Sequence, residues 1–168
     1  PADATVECGD PLPANQAVAV DNCNGVTITH SDEMTVTGCG NTGTIVRTWY
    51  AEDACGNINT ATTTFTVEDN TAPAISDVPA NTTIGCEEDY SFPNPTASDA
   101  CGTVDLTEEV TVVEGACANS YTLIRTFTAI DDCGNFAQAV QSVTVVDDDA
   151  PVFAGLPADQ TLECGDAI

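Results

Sequence analysis

The residues with chemistry to offer in this 168-residue chain are nine cysteines and 27 carboxylates. The cysteines recur with a single period, the step from Cys8 to Cys86 and again from Cys86 to Cys164. The same step takes Cys23 to Cys101, Cys39 to Cys117 and Cys55 to Cys133. Four cysteines per period at fixed spacing read as disulfides formed in an oxidising compartment. A zinc–thiolate site fits less well, because there is no C-x-x-C pair and only one histidine, His30. Cys164 is the first cysteine of a third period, and its partner is expected beyond residue 168.

Against the 27 acids stand two arginines and no lysine, a net charge of −25. Nucleic acid is excluded as a partner, since phosphate binding needs clustered cations, and anionic membrane surfaces are disfavoured likewise. Absence of lysine excludes a lysine–asparagine isopeptide crosslink. No apolar run approaches the ~20 residues of a membrane helix, so no membrane insertion is expected. Carboxylates in bulk keep a chain soluble; converging, they are the hard oxygen ligands that calcium takes. They converge best where one period meets the next. Glu68, Asp69 and Asn70 leave the first period, and the second offers Asp99, Asp131 and Asp132. The next boundary carries Asp147, Asp148 and Asp149. Calcium at these junctions is one expectation; ordinary turn chemistry, in which Asp and Asn cap their own loops, is the other.

Catalysis finds no support. His30 becomes Glu108 in the second period, so no base stands beside a nucleophile in both. The expected catalytic residues are none, and the chain is not read as an enzyme.

Strands and turns must position these groups. Short alternating runs rich in Thr and Val recur between Gly-, Asn- and Asp-containing turns, with no helical periodicity. In the first period strands are predicted at residues 5–8, 17–20, 26–29, 34–36, 45–51 and 61–67. In the second they are predicted at 83–86, 90–97, 104–107, 110–113, 123–129 and 137–145. The clearest mark of the repeat is VRTWYAEDACGN at 46–57, which returns as IRTFTAIDDCGN at 124–135: a strand running into a hairpin that carries a cysteine. Arg47 and Arg125 lie two positions before Trp49 and Phe127, hence on one strand face with them. They are read as structural cations stacked on the ring and paired to an acid. EDNTAP at 68–73 and VDDDAP at 146–151 end each unit, because proline cannot extend a ladder. The domains are therefore 1–70 and 71–148, with 149–168 starting a third repeat in what reads as part of a longer array. The fold class is all-β: tandem immunoglobulin-like antiparallel β-sandwiches, one per period, with two disulfides each.

Cysteine connectivity follows from strand length. Cys39 and Cys55 flank a seven-residue strand of about 23 Å, too far for a disulfide, whose α-carbons lie within ~7 Å. In a sandwich the Cys23 loop shares an end with Cys55, and Cys8 shares the other with Cys39. The expected pairs are Cys8–Cys39, Cys23–Cys55, Cys86–Cys117 and Cys101–Cys133.

ATVECGD, DNC, VRTWYAEDACGN and VEDNTAP, in that order, resemble the hyalin-repeat-like modules of very large bacterial surface adhesins, common in Bacteroidetes. The resemblance covers both full periods and the third's start. It departs mildly where Phe127 replaces Trp49 and where Gly85 stands for Glu7 and Glu163. It implies extracellular display in tandem arrays with adhesive or filament roles, and no enzyme. The expected function is a structural and adhesive stalk or filament on a bacterial cell surface. Its partners would be neighbouring repeats, other filament chains, or surface glycans and proteins. Two alternatives are a glycan- or protein-binding module working through its loops, and a self-assembling filament subunit.

Overall fold

The computed structural model describes residues 2–14, 17–22, 25–117, 119–155 and 164. Every regular element among them is a strand: β1 Ala4–Glu7, β2 Thr27–Val36, β3 Gly43–Glu52, β4 Ile58–Glu68, β5 Ala74–Ser76, β6 Thr82–Gly85, β7 Thr96–Ser98, β8 Val104–Glu114, β9 Tyr121–Asp131 and β10 Phe136–Val146. No helix is long and apolar enough to cross a membrane. Two four-stranded sheets form in the orders β1-β4-β3-β2 and β6-β10-β9-β8, and β5 pairs with β7 in a small third sheet. β6 begins one cysteine period after β1, and β9 and β10 begin one period after β3 and β4. The architecture is all-β and immunoglobulin-like, in tandem. It is not wholly antiparallel: β1 runs parallel to β4, and β6 parallel to β10. These pairings let the first strand of each unit close the sheet edge beside its last strand.

Period-two burial builds both cores. Along β3 and β4 it places Arg47, Trp49, Thr63, Phe65 and Val67 inward; along β9 and β10 it places Arg125, Phe127, Ala129, Gln141, Val143 and Val145 inward. Where the aromatic changes, its neighbour changes too. The Trp49 indole Nε1 donates to Thr63 Oγ1 at 3.1 Å. Phe127 has no donor, and the facing position is Gln141, whose Oε1 accepts from Arg125 Nη1 at 2.7 Å.

Both arginines are buried and fully engaged. Arg47 grips Asp32 through Nε and Nη2 at 2.7 and 2.8 Å and stacks near Trp49 and Phe65. This pairing raises the Arg47 pKa further and lowers that of Asp32, burial opposing each shift. Arg125 donates to Glu108 Oε1 at 2.6 Å, Pro93 O at 3.0 Å and Asn94 Oδ1 at 2.7 Å, over the Phe127 ring. The acid is not at one repeat position. Asp32 lies directly opposite Arg47 in the ladder, whereas Glu108 lies opposite Phe127.

The strand expectations need three corrections. β2 and β8 run unbroken through their acidic centres, where two short strands each were expected, because both are sheet edges and their charged side chains reach solvent or the arginine. Of residues 90–97, only the end joins a strand, since Pro93 and Pro95 remove ladder donors. Residues 17–20 form no strand. Their repeat counterparts in β7 pair with β5, and no such partner faces them among the described residues.

Candidate functional site: the joint between repeats

Two loops of the first repeat meet two of the second. At the end of β1 the chain turns through Cys8 and Gly9, with Cys8 N bonded to Glu68 O at 2.8 Å. Between β2 and β3 it turns through 38–41. Opposite stand the loop 99–102 before β8 and the hairpin 131–135 after β9. The hairpin owes its form to the D-x-C-G-N sequence. Asp131 Oδ1 accepts the amides of Cys133 and Asn135 at 2.8 and 2.9 Å, and Asn135 Nδ2 closes on Asp131 Oδ2 at 3.0 Å. Asp53 and Asn57 do the same in the first repeat. Each aspartate thus wraps a turn that presents its cysteine outward. Asp53 and Asp131 are both held below the ordinary carboxylate range. For Asp53 the leading cause is the Asn57 side chain. For Asp131 burial pushes upward, and its hydrogen bonds outweigh it.

Cys8 is bonded to Cys101 and Cys39 to Cys133, with α-carbons 5.5 and 5.0 Å apart and sequence separations of 93 and 94. The expected pairs Cys8–Cys39 and Cys101–Cys133 are therefore corrected. The members of each pair do lie at one end of their unit, but each faces across the joint and bonds to the neighbouring repeat. Cys86 and Cys117 are not bonded to each other; both are exposed thiols, as are Cys55 and Cys164. The expected Cys23–Cys55 pair involves Cys23, which lies outside the described residues. Two disulfides in each repeat thus become two disulfides between repeats.

Backbone seals the contact. Asn41 N donates to Cys101 O at 3.1 Å. A Cβ on Gly40, whose φ is +53°, would overlap that same carbonyl oxygen, so only glycine permits the approach. The linker is tied to both sides. Glu7 accepts from Asn70 N at 2.5 Å and Thr71 Oγ1 at 2.9 Å, bonds that lower its pKa. Asn135 Nδ2 donates to Asp69 O at 3.2 Å. Glu7 is a joint residue that sequence reasoning passed over; its replacement by Gly85 one period later was the only signal.

Of the acids expected to bind calcium, the joint brings together Asp69 and Asp131, whose ligand atoms lie within 4.8 Å of one another and of Cys133. Cys133 Sγ is committed to its disulfide. Asp69 Oδ2 is buried without a hydrogen-bond partner. Burial pushes the Asp69 carboxyl above its ordinary value; the Thr71 amide opposes this, and Asp131, Asp99 and Glu7 add repulsion. The other acids point elsewhere. Asp99 Oδ1 caps Cys101 N, Asp132 accepts twice from Thr103, and Asn70 serves Glu7. Glu68 is exposed, as are Asp147, Asp148 and Asp149 beyond β10.

Residues 74–145 match the family model of the HYR-like domain with 4 cysteines. That span holds Cys86, Cys101, Cys117 and Cys133, of which the second and fourth bond to the first repeat. No curated protein matches the chain. Among solved structures it is similar to the human desmocollin-1 ectodomain, with 12% identity over 64% of this chain and 28% of that one, TM-score 0.34. It is also similar to human protocadherin-24 EC1-2, with 19% identity, 86% and 95% coverage and TM-score 0.33. A third is protocadherin gamma B2 EC1-5, with 15% identity, 92% and 42% coverage and TM-score 0.37. The chain thus spans about a quarter of the desmocollin ectodomain.

Proposed function

We propose that the chain is a segment of an extracellular array of immunoglobulin-like repeats that serves as a structural and adhesive stalk or filament on a bacterial cell surface. The observation that carries this reading is the double disulfide across one joint. Two covalent bonds and a glycine-tight contact fix one repeat against the next, as a spacer requires and an independent binding domain does not. The disulfides call for an oxidising compartment, and the hyalin-like match of 74–145 supports an adhesion-type module. Electron microscopy of the native array tests it. A straight beaded thread with one bead per cysteine period, on cells that lose attachment when the array is deleted, is the expected result. A lateral lattice, or unchanged attachment, would reject it.

The joint is also our proposed calcium site, favoured by the orphaned Asp69 oxygen beside Asp131. These two carboxylates would be the protein ligands, with carbonyls and water completing six to eight oxygens. The Asp69 pKa is raised above its ordinary 3.8. A raised carboxylate contributes stability that is full below the unfolded value and is lost as pH rises through the folded one. At neutral pH the charged Asp69 strains the joint, and either a proton or a cation relieves it. Calcium should therefore raise the melting temperature at pH 7, and the rise should shrink as pH falls towards the Asp69 pKa. Asp69→Asn should melt higher than the parent without calcium and lose the response to it. No heat on calorimetric titration and no change in melting would end this reading.

A further inference from the structure

The joint uses only half of each repeat's cysteines, and the remainder are set out in complementary halves. Cys86 and Cys117 are the counterparts, one period on, of Cys8 and Cys39, which reach forward to the next repeat. Cys23 and Cys55 are the counterparts, one period back, of Cys101 and Cys133, which receive those bonds. Cys86, Cys117 and Cys55 are exposed and unbonded.

A second observation matches this one at the same two ends. In the second repeat β5 pairs with β7, Ile75 opposite Ala97. The counterparts of β7 are residues 18–20, where Val18 and Val20 are 90% and 92% exposed. The counterparts of β5 are residues 152–154, where Val152 and Phe153 are 91% and 87% exposed. Beside 18–20 lies a cleft of about 270 Å³ lined by Val18, Val20, Ile28 and Trp49. One end thus shows a strand without its partner, and the other shows that partner without its strand.

We propose that a second copy of this chain docks head to tail here: residues 152–154 of one copy pair antiparallel with 18–20 of the next, the disulfide Cys117–Cys55 locks the joint, and the sequence period adds Cys86–Cys23. The inference rests on the array reading and deepens it by naming the contact that continues the array. Each bond forms by thiol–disulfide exchange. A thiolate attacks a low-molecular-weight disulfide such as oxidised glutathione, and the second cysteine displaces the remaining glutathione. Two protein thiols become one disulfide and one oxidised glutathione becomes two reduced molecules. Burial, with Asp147, Glu87 and Asp149 nearby, pushes the Cys86 thiol above its ordinary value. Cross-linking should therefore quicken as pH rises.

The test is oxidation of the purified 168-residue chain with a glutathione redox couple, followed by non-reducing gels and peptide mapping with acid-specific proteases. The expected result is a ladder of covalent multimers containing Cys117–Cys55 and Cys86–Cys23 peptides, with Cys8–Cys101 and Cys39–Cys133 retained. Phe153→Asp should slow ladder formation roughly tenfold, a loss of about 1.4 kcal/mol, while keeping both retained bonds as evidence of folding. A Cys86–Cys117 peptide, thiols that stay free in monomers, or indiscriminate pairing would each overturn the proposal. This readout is connectivity alone. A chain that cross-links as expected but supports no attachment would fail the adhesive reading and leave this one standing.

Discussion

Replacing Cys8 and Cys39 together with serine should release the two repeats from each other and lower the unfolding midpoint, while each sheet keeps its strands. The Cys8–Cys101 and Cys39–Cys133 bridges span sequence separations of 93 and 94. By chain-entropy arithmetic, a single bridge closing a loop of that length stabilises by about 4–5 kcal/mol. The two should not add. Once one is closed, the other links residues already held close, so either single variant should lose clearly less than that figure and the double variant far more than either. What remains at the joint is the Asn41–Cys101 backbone bond and the ties of Glu7 and Asn135 to the linker. These few polar contacts hold no fixed angle. Small-angle scattering should report a single elongated particle for the parent and both single variants, and a broadened distribution of lengths for the double variant. Identical profiles and urea midpoints for parent and double variant would show that the bridges carry no stability.

Arg125→Ala should be the most damaging substitution away from the cysteines. Its side chain is buried and serves Glu108, Pro93, Asn94 and Gln141 at once. Removing it leaves the Gln141 amide oxygen buried and Glu108 without its counter-charge. Breaking a pair of this kind costs about 3–5 kcal/mol. Lysine should not rescue, because a single ammonium cannot reach four acceptors in a fork or stack on Phe127. Arg47→Ala should cost less: Arg47 makes its strong bonds to Asp32 alone, and Asp32 can rehydrate at the sheet edge. Urea unfolding of the three variants gives the order. Equal losses for Arg47→Ala and Arg125→Ala would show that Gln141 and Asn94 contribute nothing.

How much of this was legible in the sequence depends on the range of the interaction. The strand that became β3 was expected at residues 45–51 and runs Gly43–Glu52, because alternation of Arg47, Trp49 and Ala51 is a local signal. The hairpin after it was legible for the same reason. Strand pairing in the small third sheet was not. β5 is very short and follows a proline, and only its partner β7 makes it a strand. Conversely, the alternating 17–20 has strand composition and no strand, since composition supplies no partner. For the cysteines, strand length was enough to separate Cys39 from Cys55 and to group Cys8 with Cys39. It was not enough to pair them, because the distance criterion was applied within one repeat, and the facing cysteines belong to the next. Glycine at position 40 hints at that approach only once the carbonyl of Cys101 is seen against it. Among the acids, Asp131 proved to be turn chemistry first, and Asp69 stood out only through burial that no local pattern encodes.

The Cys8–Cys101 bridge also decides what happens to the chain under tension. A load applied to the ends takes the shortest covalent route, which crosses this bridge and bypasses the long stretch between its cysteines. Even with every strand torn open, that stretch cannot release its contour, about 300 Å at ~3.3 Å per residue. Most elastic repeat chains absorb a jerk by unravelling domains one after another. This one is built as a strap: it transmits force through sulfur, surrenders little length, and behaves as a shock absorber only where the surroundings are reducing enough to open its joints.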